Sequence, residues 1–98
     1  MLVTNTLKRK DLGVRGMYAI IHEDTGRIYA AAVDNIHRDL SKLMDDLAAG
    51  KCRNTKLQRY YDQDKEFQAL VKISDDGMRG AKKDLSNFKA GRLHLLVN

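Results

Sequence analysis

The chain has 98 residues, enough for one core of ordinary domain size and too few for two. Its hydrophobic content of 43% excludes disorder throughout, its single cysteine excludes an internal disulfide framework, and the absence of a long apolar run excludes a membrane-spanning helix. Lys and Arg number 18 against 13 Asp and Glu, and this formal net charge of +5 suits a polyanionic partner such as DNA or RNA.

Residues 1–15 are polar and basic without periodicity and read as an N-terminal arm or irregular segment, leaving one domain over residues 16–98. No signal-type apolar stretch follows Lys8, Arg9 and Lys10, so a cytoplasmic location and no membrane association are expected. From Gly16 the pattern changes. Met17, Ala19 and Ile21 alternate with Tyr18, Ile20 and His22, and Glu23-Asp24-Thr25-Gly26 supplies turn chemistry before Arg27 to Val33. This predicts a β-hairpin. Both of its faces are apolar, which implies helices or loops on more than one side of the sheet.

Asp34 or Asn35 can cap the next segment, in which Ile36, Leu40, Leu43, Met44 and Leu47 recur at helical spacing before Gly50. Asn54 can cap a shorter helix carrying Leu57, Tyr60 and Tyr61. Phe67, Ala69, Val71 and Ile73 then alternate with Gln68, Leu70 and Lys72 as a third strand. After the loop Ser74-Asp75-Asp76-Gly77, the spacing of Met78, Ala81, Leu85 and Phe88 predicts a helix ending near Gly91, and Arg92 to Val97 reads as a short extended segment. The predicted fold class is α/β of the α+β kind: a small three-stranded, mainly antiparallel sheet flanked by helices, in the order β-β-α-α-β-α. Cys52, between Lys51 and Arg53, reads as a bystander thiol, and no Cys or His spacing suggests a zinc site. No cofactor or metal is expected.

The hairpin carries Gly16-Met17-Tyr18 and Tyr29-Ala30-Ala31, separated by ten residues, and Asn35-Ile36 opens the following helix. Leu47-Ala48-Ala49-Gly50, Asn54, Leu57-Gln58 and Phe67 come next. In this arrangement residues from about 16 to 73 resemble the GIY-YIG nuclease family, named for Gly-Ile-Tyr and Tyr-Ile-Gly on adjacent strands. The same residues also have purely structural readings: Asn54 as a helix cap, Leu57 and Tyr61 as a core-facing pair, Phe67 as a strand anchor.

A metal-dependent phosphodiesterase needs a cation for the developing phosphoryl charge, a carboxylate for the metal and a group to orient water. The resemblance implies that Tyr18 and Tyr29 are the motif tyrosines and that both face one concave surface. It puts Asp39 where the family has arginine and Leu43 where many members have histidine. The family's metal-binding glutamate belongs on the helix after the third strand, where this chain offers Lys82, Lys83, Asp84 and Lys89. Tyr18, Tyr29, Asp39 and Asp84 are therefore read as vestigial positions around one surface, with no catalytic residue expected. Arg38 is predicted to point into solvent, and Lys42 to neutralise Asp39. Ala31 also departs from the family's glycine.

Three functional readings follow. One is a catalytically inactive nuclease-like domain that binds nucleic acid through Lys8, Arg9, Lys10, Arg15, Lys51, Arg53, Lys56 and Arg59. Another is a protein-interaction module, a decoy or inhibitor on a nuclease fold. In the third, Tyr18, Tyr29 and Asp84 act with Lys42 as a rearranged endonuclease site, and this reading alone calls for Mg2+.

Overall fold

The double alternation of residues 16–22 reflects a strand with a neighbour on each edge and a layer on each face. The computed structural model describes residues 15–97. Strand β1 (Gly16–His22) lies between β2 (Ile28–Val33) and β3 (Phe67–Ile73) in an antiparallel sheet of order β2-β1-β3. Helices α1 (Ile36–Ala48) and α2 (Thr55–Gln63) separate β2 from β3, and α3 (Gly77–Lys89) follows β3. The fold is the α+β arrangement that the periodicity predicts, in the same element order.

Register assigns the faces. Tyr18 stands opposite Ala31 on β2 and Val71 on β3, whereas Met17 stands opposite Ala32 and Lys72. On one face, Tyr18 and Ile20 pack with Ile36, Leu40 and Leu47 of α1, Leu57 of α2 and Phe67 of β3. The other buries Met17, Ala19, Ile28 and Ala30 under Leu85 and Phe88 of α3 together with Leu95 and Leu96. The sheet is thus a middle layer, and the small residues Ala19 and Ala30 let α3 approach it closely.

Side-chain amides organise the connections. Asn35, rather than Asp34, caps α1, its Oδ1 accepting from the Arg38 N–H at 2.9 Å. Asn54 caps α2 by accepting from the Leu57 N–H at 3.0 Å, and its Nδ2 donates to the Val97 carbonyl at 2.9 Å. Gln58 donates to the Leu47 carbonyl and accepts from the Cys52 N–H, so it clamps the loop between the two helices. His22, the one buried polar residue of the described core, has both ring nitrogens engaged. Its Nε2 donates to the Asp64 carbonyl at 2.9 Å, which leaves Nδ1 to accept from the Thr25 hydroxyl at 2.8 Å in the neutral ring.

The terminal segment departs from its predicted extended form. Leu93–Leu95 form a 3-10 turn, and only Leu96 bridges Ile28 of β2. The cause is local: Gly91, at φ 80°, reverses the chain, and the Leu95 N–H donates back to the Arg92 carbonyl. Among the described residues no helix is long and apolar enough to cross a membrane.

Gly16 sits where β1, β3 and α1 converge. A Cβ built there would strike the Lys72 carbonyl oxygen and come within 2.8 Å of Ile36 Cδ1. Gly16→Ala is therefore expected to destabilise the fold by about 1–3 kcal/mol, as other overpacked positions do. Urea unfolding should show a lower midpoint at unchanged slope; an unaltered midpoint would contradict the close approach.

Candidate functional site

Two tyrosines one register step apart on a shared face lie diagonally, within reach of each other. Tyr29 stands opposite Ile20 and Tyr18 opposite Ala31, and their ring centroids are 6.3 Å apart with a 35° tilt. Together with α1 and the loop before α2 they line a hollow of about 400 Å³, into which Asp39, Lys42, Asp46 and Arg53 also face. Burial pushes the Tyr18 phenol well above the usual tyrosine range, and the nearby Tyr29 phenol and Asp39 carboxylate push it further. Burial raises Tyr29 as well.

The hollow's charges are largely committed to one another. Arg38 points outward, as the helical rotation predicts, yet its Nε still reaches the Asp39 carboxylate at 3.5 Å. Lys42 does not neutralise Asp39. It pairs with Asp46 at 2.9 Å, one helical turn onward, where the i,i+4 spacing aligns the side chains. Among the described residues, Arg53 is the one cation lining the hollow that has no carboxylate partner.

Asp84 corrects the expectation of a single shared surface. It binds Lys72 at 3.2 Å, and Lys72 belongs to the Met17 face. Because α3 packs through Ala81, Leu85 and Phe88, Asp84 falls on its sheet-facing side, against the face opposite the tyrosines. Tyr18, Tyr29 and Asp39 therefore come together, and Asp84 stands apart from them. Asp39 and Asp46 are each held by a basic side chain, and no group of three or more His, Cys, Asp or Glu is clustered among the described residues.

The basic positions divide similarly. Lys8, Arg9 and Lys10 lie outside the described residues. Arg15 is tied into the fold, its Nε binding Asp34 at 2.9 Å and its carbonyl accepting from the Ser74 N–H. Lys51, Arg53, Lys56 and Arg59 are exposed and have no carboxylate partner among the described residues. Sequence reasoning missed Arg27. It joins Lys56 and Arg59 around a second hollow of about 330 Å³. No local pattern signals this, because Arg27 and α2 are remote in the chain and meet only through the fold.

The raised Tyr18 ionisation has a consequence with a definite sign. Below about pH 10 both folded and unfolded chains keep this proton; above it the unfolded chain gives it up first and is favoured. Wild-type stability should therefore fall as pH rises beyond about 10, and Tyr18→Phe should fall less steeply. Chemical unfolding across an alkaline pH series reads the difference, and parallel curves would contradict the buried phenol. Comparison of the chain with protein-family models, with curated proteins and with solved structures returns no match, so its functional reading rests on this geometry.

Proposed function

We propose that the chain is a catalytically inactive nuclease-like domain of the GIY-YIG type that binds nucleic acid through a basic surface, in the cytoplasm. The observation that carries the reading is the carboxylate of Asp39 in the hollow shared by Tyr18 and Tyr29. The resemblance asks for a guanidinium at that position. A preorganised cation there would oppose the negative charge growing on a phosphoryl group, and a carboxylate opposes the phosphoryl group itself. Asp84 on the far face of the sheet supplies no second carboxylate to this hollow.

Binding is supported by the distribution of committed and uncommitted cations. Arg15, Arg38, Lys42 and Lys72 are each paired with an aspartate, whereas Lys51, Arg53, Lys56 and Arg59 follow one another along the loop and first turns of α2 with no such partner among the described residues. Phosphate contacts from such side chains position a backbone without reading its bases, so low sequence preference accompanies the reading. A second reading, a protein-interaction module, is favoured by β3. Among the described residues this strand pairs only with β1, and it exposes Leu70 and Ile73.

Purified protein is expected to bind labelled DNA or RNA with affinity falling steeply as salt rises, and to show no divalent-metal-dependent cleavage of either. Removing one preorganised stabiliser of developing charge lowers rate by about 10² to 10³, and here the charge at position 39 is also reversed. Gel assays of cleavage and salt-titrated anisotropy check the two halves. Magnesium-dependent cutting that Tyr18→Phe abolishes would overturn the inactive reading, and salt-insensitive behaviour or absence of binding would favour the interaction module.

A further inference from the structure

The second hollow contains three cations from two separate parts of the fold and no carboxylate among its described lining residues. Lys56 and Arg59 are spaced i,i+3 on one side of α2, with Tyr60 beside them. Arg27 faces them from the start of β2. Its Nη1 donates to the His94 carbonyl at 2.8 Å, which holds the guanidinium in place. Leu96 and Val97 complete the lining.

Like charges gathered around one hollow favour the entry of an anion. Each cation repels the others, and none is offset by an aspartate or glutamate among the described residues. We infer that the Arg27–Lys56–Arg59 hollow is a dedicated subsite for a backbone phosphate of nucleic acid. The inference rests on the nucleic-acid-binding reading and gives it a location. A polynucleotide, rather than an isolated small anion, fits the surroundings, because Asn54 lines the tyrosine hollow and donates its side-chain amide to Val97, which lines this one. The two hollows therefore flank a single Asn54–Val97 contact. With Arg53 on one side and Lys56, Arg59 and Arg27 on the other, successive phosphates of one strand meet cations across both. Tyr60, whose ring also packs against His22, lines the hollow beside these cations.

The test compares two doubly neutralised proteins of equal net charge. Lys56→Gln/Arg59→Gln removes the hollow's α2 cations, and Lys82→Gln/Lys83→Gln removes two exposed cations from α3, beyond the opposite face of the sheet. Binding of fluorescein-labelled single-stranded DNA is followed by anisotropy over a salt series, with circular dichroism to verify folding. The hollow variant should weaken binding and flatten the slope of log affinity against log salt by about two phosphate contacts, each worth about 0.7 of slope for a single strand. The α3 variant should leave the slope close to wild type. Equal flattening in both variants would overturn the inference while leaving nucleic-acid binding intact, since diffuse charge would then account for it. Failure of the wild-type protein to bind at low salt would overturn the functional reading itself, and the subsite with it.

Discussion

A strand buried on both faces has no tolerance for slippage, and the rest of the protein is arranged around that constraint. β1 carries Tyr18 and Ile20 into one apolar layer and Met17 and Ala19 into the other, with both flanking strands held antiparallel to it. A slip of one residue would exchange the two sets, driving Tyr18 and Ile20 under α3 and opening the α1–α2 core. Gly16 and His22 close this strand at its two ends. The glycine admits the β3 backbone and Ile36, and the buried imidazole joins the hairpin turn to the end of α2 through two hydrogen bonds. Position along β1 consequently decides which helix each strand residue can meet.

The same parity separates the chemistry. Asp39 reaches the tyrosines because α1 packs on their face, through Ile36, Leu40 and Leu47. Asp84 is excluded from them because α3 packs on the other, and no rotamer carries a short aspartate side chain through a closed sheet. The tyrosine hollow is left with its carboxylates held by neighbouring cations and with phenols that burial keeps protonated. Exposed ion pairs of this type contribute only about 0 to 1 kcal/mol to folding. Among the described residues they leave charge uncommitted on the α3 side, at Lys82 and Lys83, as well as on the α2 side, where Arg53 lines the tyrosine hollow and Lys56, Arg59 and Arg27 share the second.

Residues shared with the resembled family have structural work in this chain whatever its chemistry. Asn54 caps α2 and holds Val97 of the terminal segment, Gln58 ties the loop after α1 to α2, and Phe67 packs against the His22 ring. These contacts account for their spacing through hydrogen bonding and packing alone. The tyrosine hollow is thus built on a framework held by capping and packing contacts.

Element order, the two asparagine caps, the hairpin turn and the presence of a layer on each side of the sheet were legible in the sequence, because each depends on interactions within a few residues or on the period of an alternating strand. Tyr18, Tyr29 and Asp39 were grouped through the family resemblance, and they do line one hollow. Two features were decided by tertiary structure, and one by local side-chain geometry. The face of the sheet on which α3 settled, and hence the isolation of Asp84, depended on Ala19 and Ala30 admitting a helix across strands distant in sequence. The choice of Asp46 over Asp39 as the partner of Lys42 was a matter of side-chain reach among several nearby charges. The meeting of Arg27 with Lys56 and Arg59 required the hairpin and α2 to be brought together, and local propensity carries no information about contacts that only chain closure creates.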